Sequence, residues 1–292
     1  MEDRIYSVIG ERKPRIDGAA KATGEARYSD DLTFPGMLCG KILRSPHPHA
    51  RIVHIDTSRA KCLPGVKAVI TGKDTPGIPY GVIDTDRYLP PHMKEKVPIY
   101  PNDKYSLAIE KVRYIGDEVA AVAAVDEDTA LEALELIEVE YEPLTPVFDP
   151  VEAMEEGAPR IHDFAERNIC SRMYWDFGDV EKGFAEADYI REDRFTTSAV
   201  THTPLEPRGC VAFFDQTGKL TVWASTQTPY MRRQMLSKSL NMPESMIRVI
   251  TPCVGGGFGG KCCACEPEFQ AALLSRVTNR PVSYTHLTLP TN

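Results

Sequence analysis

Residues Val254–Lys261 read VGGGFGGK: five glycines around one phenylalanine, closed by a lysine. No other segment restricts the chain so tightly. Glycine has no Cβ, so backbone N–H groups can crowd against a ligand at φ values that other residues avoid. Successive N–H groups in such a loop form a concave anion site. Phe258 alone places a bulky apolar contact within it. The segment predicts a loop pressed against a group that carries oxygens or phosphate.

Local spacing admits three readings. Gly255, Gly257 and Gly260 satisfy G-x-G-x-x-G, and Met246–Pro252 ahead of them reads as a strand, the setting of a dinucleotide site. That fingerprint wants an acidic residue about 20 positions further on, where this sequence has none. Gly255–Lys261 also meets the phosphate-loop pattern up to its last position. There Cys262 stands in place of a magnesium-binding Ser or Thr, and a thiol is a poor ligand for a hard cation. The third reading is a glycine-rich turn without a ligand. Spacing alone leaves all three open.

Composition narrows the class. A length of 292 residues predicts two domains. Hydrophobic content of 42% with 26% charged residues describes a globular protein able to bury a sizeable core. A formal charge of −8 argues against nucleic acid, which needs a basic face. There is no Lys/Arg run, no apolar stretch of about 18 residues and no signal-peptide core after Met1, so a cytoplasmic protein without a membrane span is expected. Without a secretory signal, the eight cysteines read as reduced thiols. Cys253, Cys262, Cys263 and Cys265 fit neither zinc-site pairs nor ferredoxin runs.

Strand and helix signals alternate along the first half. Met37–Arg44, Arg51–Ile55, Val66–Thr71 and Glu118–Val125 read as strands, and Ser45–His49 as a turn rich in breakers. Asp126 caps a helix over Asp126–Ile137, followed by a strand at Ile137–Tyr141. Thr75–Pro101 reads as a long ordered loop, and Pro143–Pro159 as a linker. In the second half, Met173–Phe177, Tyr189–Thr197, Gly209–Phe214, Leu220–Ser225 and Met246–Pro252 are predicted strands. Val180–Ala187, Tyr230–Leu240 and Glu266–Thr278 are predicted helices. From Val282 the chain reads VSYTHLTLPTN, which resembles one translated frame of a transposon-end adapter used in DNA sequencing. These last residues are expected to lie outside the fold, as residues foreign to a gene do, and the sequence to be the N-terminal fragment of a longer protein.

Several ordered motifs carry a family resemblance. Gly36–Leu38 (GML), Leu43–His47 (LRSPH), Ala50–Ile52 (ARI) and Ile55–Thr57 (IDT) resemble the start of the molybdenum hydroxylase large subunits. So do Tyr114–Asp117 (YIGD), Glu118–Val122 (EVAAV) and Val139–Glu142 (VEYE). In that family of xanthine dehydrogenases, aldehyde oxidoreductases, carbon monoxide dehydrogenases and 4-hydroxybenzoyl-CoA reductases, this part is the a/b hammerhead domain. Phe177–Val180 (FGDV), Leu205–Pro207 (LEP), Ser225–Pro229 (STQTP) and the glycine loop continue the match, which spans residues 10–281.

The resemblance implies an α+β fold. A lead-in of 1–17 precedes the a/b hammerhead domain at 18–145. A linker at 146–160 leads to the first half of a molybdopterin-binding domain at 161–281, mixed sheets with helices truncated at the C-terminus, and residues 282–292 form the tail. It further implies that Gln227 hydrogen-bonds the apical oxygen ligand of molybdenum, since a neutral amide can steady that ligand without adding charge. The Phe258 backbone would lie over the metal. Gly256, Gly257, Gly259 and Gly260 would let N–H groups approach ligands held by the pterin, whose dithiolene rather than protein cysteine binds the metal. Lys261 is expected to flank the loop as an exposed lysine. Cys262 stands where purine-oxidising members carry a glutamate that holds the heterocycle. A thiol cannot accept the same paired hydrogen bonds, which points away from xanthine as substrate. Glu206 is expected to pair with Arg208 or backbone donors, and His202 to be a packing residue. The general base is a glutamate near the C-terminus of the whole subunit, so no residue of this fragment is catalytic.

For the whole protein the resemblance implies a molybdenum-dependent oxidoreductase. It would hydroxylate, or in the reductase branch reductively dehydroxylate, an aldehyde, an N-heterocycle or an aromatic acyl-CoA. Its cofactor would be Mo-molybdopterin, plain or as the cytosine dinucleotide, with electrons leaving through [2Fe-2S] clusters and FAD on partner subunits in a dimer of heterotrimers. The alternatives are a non-catalytic homologue or assembly partner that keeps the fold without the metal, and a nucleotide-binding phosphate loop.

Overall fold

A computed structural model describes residues 9–80, 103–170, 177–262 and 266–285. Most of the predicted Thr75–Pro101 loop, the predicted strand from Met173, and Cys263 and Cys265 lie outside the described residues.

After a short helix α1 (Gly18–Thr23), the chain forms β1 (Leu38–Arg44) and β2 (Ala50–Asp56), separated by the proline-bearing turn. Helix α2 (Ser58–Cys62), β3 (Val66–Thr71), β4 (Lys111–Val112) and β5 (Glu118–Ala124) follow. β5 is buried along its whole length. It shows no polar alternation because both of its faces are covered. Ala121 and Ala123 enter the main core, while Ala120 and Val122 meet a smaller cluster. That cluster includes Ala133 of α3 (Glu127–Glu135). The predicted cap is present: Asp126 Oδ1 accepts from Thr129 N at 2.8 Å, and Glu127 and Asp128 put negative charge at the positive end of the helix. β6 (Glu138–Pro143) completes the first half.

The second half contains α4 (Val180–Ala185), β7 (Gly209–Phe214), β8 (Leu220–Ala224), α5 (Pro229–Leu240), β9 (Ile247–Ile250), α6 (Glu266–Thr278) and β10 (Val282–Thr285). Pro229 opens α5, where its missing N–H costs nothing, and Asn241 at φ 52° closes it. The predicted strand at Tyr189–Thr197 is not formed. Those residues make no ladder with any described strand and are all exposed.

One seven-stranded sheet, ordered β3-β5-β1-β10-β7-β8-β9, takes strands from both halves, and a small sheet, β4-β2-β6, lies apart. The expectation that the fold stops short of Val282 is therefore corrected. β10 runs parallel to β1 (Leu38 opposite Val282) and antiparallel to β7 (Val282 opposite Ala212), at the centre of the sheet. A strand placed between two partners, with Val282 and Tyr284 buried, satisfies both of its hydrogen-bonding edges, which overrides any local signal of a tail. Helix α6 packs Phe269, Ala272 and Leu274 against this sheet, with Ile42, Val222 and Val282 in the same core. Each side chain of that size contributes roughly 1.5–3 kcal/mol when fully buried, so one core binds the two halves.

Candidate cofactor-binding site

β8 and β9 run parallel, with Trp223 opposite Ile250. The segments that follow them, Ser225–Thr228 and Thr251–Lys261, therefore leave the sheet side by side. The space outside the carboxyl ends of parallel strands is where ligands collect in open sheets. Gln227 N donates to Lys261 O at 3.1 Å. Gly259 N and Lys261 N in turn donate to Gln227 Oε1 at 3.1 and 3.3 Å. These two donors fix the amide orientation, because an NH₂ group could not accept them. Gln227 is exposed, and among the described residues no acceptor engages its Nε2.

Glycine is required where the loop meets this side chain. A Cβ on Gly257 would sit 2.5 Å from Gln227 Oε1, far inside contact distance. Phe258 adopts φ 51° and is 72% exposed, so the strained residue is also the one that projects from the loop. Gly257 O accepts from Gly260 N at 2.7 Å, which closes a turn behind it.

A buried pair anchors the loop from below. Lys261 is fully buried, and its Nζ lies 2.7 Å from Glu206 Oε2. The same oxygen accepts from Ser225 Oγ at 2.6 Å and Gly255 N at 2.7 Å, while Oε1 accepts from Ser29 Oγ at 3.3 Å. Burial pushes the Glu206 carboxyl up, but the hydrogen bonds from Lys261, Ser225 and Gly255 outweigh it and hold it below the usual carboxylate range. Two expectations change here. Lys261 is buried rather than a flanking exposed lysine, and Glu206, which takes a backbone donor as expected, takes Lys261 beside it and not Arg208. Arg208 instead donates to Gly260 O. His202 is exposed, its ring lying along Gly259 and Gly260, so it is not a core packing residue.

A further layer is not evident from the sequence. Buried Arg232, one turn into α5, donates to Thr226 Oγ1 at 3.1 Å and Lys261 O at 3.3 Å, and lies 3.5 Å from Glu268 of α6. Its position soon after Pro229 is the one available signal. Thr228 Oγ1 donates to Cys262 O at 2.7 Å, and half-buried Cys262 follows the loop directly. Strand end, glycine loop, α5 and α6 thus meet at one node.

The geometry excludes one of the local readings. A phosphate loop needs its lysine free for phosphate oxygens, and Lys261 Nζ is spent on Glu206. The wall is electrically neutral, since Glu206 and Lys261 cancel, and it offers one N–H donor beside an exposed ring. Among the described residues, no three His, Cys, Asp or Glu side chains converge to hold a metal ion.

Known proteins share this fold. Residues 23–145 match the family described as aldehyde oxidase and xanthine dehydrogenase, a/b hammerhead domain, and residues 161–288 match the molybdopterin cofactor-binding domain. The nicotinate dehydrogenase large molybdopterin subunit of Eubacterium barkeri is 37% identical over 95% of this chain and 61% of its own length. The carbon monoxide dehydrogenase large chain of Afipia carboxidovorans is 37% identical over 94% of this chain and 34% of its own. The solved Cu,Mo-CO dehydrogenase superposes with a TM-score of 0.77 at 36% identity, covering 95% of this chain and 35% of that one. Quinoline 2-oxidoreductase from Pseudomonas putida 86 gives 0.78 at 35% identity, over 93% and 34%. The chain thus spans between a third and three-fifths of the length of these relatives. With both halves matched in order and the glycine loop in place, the chain belongs to the xanthine dehydrogenase and aldehyde oxidase family of molybdopterin-binding large subunits.

Proposed function

We propose that the complete protein is the molybdenum-cofactor-binding subunit of a hydroxylase-type oxidoreductase, with Ser225–Cys262 as one wall of the cofactor site. The observation that carries this reading is the Gln227 amide, whose carbonyl is fully engaged by the loop while its N–H donors are not. The donor set fits the group. A neutral wall with one amide donor suits a metal that brings its own ligands on an organic cofactor. Bound molybdopterin, plain or as the cytosine dinucleotide, supplies the two-electron redox chemistry by which an oxygen is added to or removed from substrate carbon.

The chain's own residues bind and orient. Gln227 donates a neutral N–H to an oxygen acceptor of the cofactor. Gly256, Gly257, Gly259 and Gly260 would admit the cofactor close to main-chain N–H groups, and the Phe258 backbone would lie over it. The Glu206–Lys261 pair holds the wall without adding net charge. Cys262, at the loop's exit, favours aldehydes, aromatic acyl thioesters or N-heterocycles other than xanthine, because it offers no paired acceptor. The relatives are named as large subunits or large chains. That naming supports partner subunits, and our reading gives them [2Fe-2S] clusters and FAD in a dimer of heterotrimers. No described helix is long and apolar enough to cross a membrane, and a cytoplasmic enzyme is the reading adopted. The general base lies on a part of the whole subunit not contained here.

The test is metal and pterin analysis of the full-length protein, produced together with the cofactor maturation machinery. One molybdenum and one pterin per chain are expected, and a metal-free, pterin-free product would sink the proposal. Gln227→Ala should retain the pterin yet lose activity by about tenfold or more, as removal of an outer-shell partner does.

A further inference from the structure

From Phe177 to Thr203 the residues are exposed without exception, although the stretch carries Phe184, Tyr189, Ile190, Phe195 and Val200. Phe195 is 87% and Val200 90% exposed. Single exposed apolar residues are ordinary, but here the whole stretch, backbone and side chains alike, lacks cover. Between Tyr189 and Thr203 there is no helix or strand, and no backbone–backbone hydrogen bond among the described residues. The composition is that of a strand nonetheless. Aromatic and β-branched residues dominate, and Arg191 and Arg194 balance Glu192 and Asp193. Backbone groups in an apolar stretch of this kind need partners once covered.

We propose that residues 188–203 form a β-strand by addition to a strand from the part of the same polypeptide that the relatives possess and this sequence does not contain. The occupant follows from coverage: the solved relatives match 93–95% of this chain but only 34–35% of their own. The arm lies inside the matched cofactor-binding domain, so its partner belongs to that same domain. A strand supplied by the same polypeptide docks at high effective concentration, without the cost of bringing two molecules together. The recognition is β-augmentation, with main-chain hydrogen bonds giving affinity. The arm's far end touches the site. A Cβ on Gly260 would lie 3.0 Å from His202 Cγ, and one on Gly256 3.5 Å from Pro204 Cβ. Docking the arm therefore braces the outer side of the glycine loop.

Hydrogen exchange of the full-length protein, read by mass spectrometry, tests this without cofactor or turnover, so its failure is distinct from failure of the functional reading. Amides of residues 189–200 should exchange at least about 100-fold more slowly than unstructured rates. Thr197→Pro, which removes one ladder donor, should restore fast exchange there, as should Phe195→Asp. Unstructured rates in the full-length protein would overturn the proposal. So would protection that appears only as concentration rises, which would make the partner a second copy, and so would a reading frame that ends at Asn292.

Discussion

Two carboxylates, Glu118 buried and Glu206 partly buried, hold two parts of this molecule, and they do so differently. Glu118, at the start of β5, is fully buried and shared by two cations, Arg44 Nη1 at 2.7 Å and Lys104 Nζ at 2.5 Å. Lys104 also reaches Asp117 Oδ1 at 2.7 Å, and burial, which would lower its pKa, is outweighed by the charges of Glu118 and Asp117, so the ammonium is held well above its ordinary range. Glu206, under the glycine loop, is shared instead by one cation, two hydroxyls and a backbone N–H. The cations differ in escape: Arg44 and Lys104 are 30% and 24% exposed, Lys261 only 1%. A network with water at its rim tolerates losing a member. One that is closed does not.

The largest expected effect follows from that difference. Glu206→Gln leaves the Lys261 charge buried and unpaired, which should destabilise the chain by about 3–5 kcal/mol. Glu118→Gln should lose only about 1–3 kcal/mol, because its cations keep Asp117, Gly116 O and water. Urea unfolding of both variants measures the order, and a larger loss for Glu118→Gln would break the comparison. Gly257→Ala comes next: its Cβ would collide with Gln227 Oε1, an overpacking of about 1–3 kcal/mol. Its sharper readout is pterin content, which should fall as Gln227 is displaced.

pH separates the two nodes by sign. The folded pKa of Glu206 is depressed, so its contribution is present above the unfolded value and is lost as pH falls through the folded one. The stability gap between wild type and Glu206→Gln should narrow in acid, below about pH 4. Lys104 is raised, so its contribution is complete at neutral pH and fades only in alkali above about pH 10. Lys104→Met should therefore differ from wild type equally at pH 5 and pH 8, and a gap that closes in acid would contradict this. The smallest effect is at Phe258. Phe258→Gly relieves a left-handed residue and should stabilise the chain by about 1 kcal/mol while lowering activity.

Local elements were legible where their cause is local. The Asp126 cap, the apolar run of β5 after Glu118 and the bounds of α6 all follow from residues within a few positions of one another. The resemblance placed Gln227 beside the glycine loop, where it lies. The Glu206–Lys261 pair was not legible, because its partners are 55 residues apart and nothing near either one names the other. Nor was β10, whose partners β1 and β7 lie far upstream. Tyr189–Thr197 fails for the opposite reason. Its composition favours a strand, and no described strand pairs with it.

The place of β10 also bears on how the protein is made. Leu38 must wait for Val282, and Lys41 for the Thr285 carbonyl, 244 positions later. At translation rates of about 5–20 residues per second, β1 stands as an open edge for on the order of 10–50 s before its neighbour leaves the ribosome. Over that interval two half-sheets, β3-β5-β1 and β7-β8-β9, exist with unpaired rims that invite strands from other nascent chains. Yield in the cell is then governed by protection of those rims during synthesis, rather than by the stability of the finished sheet.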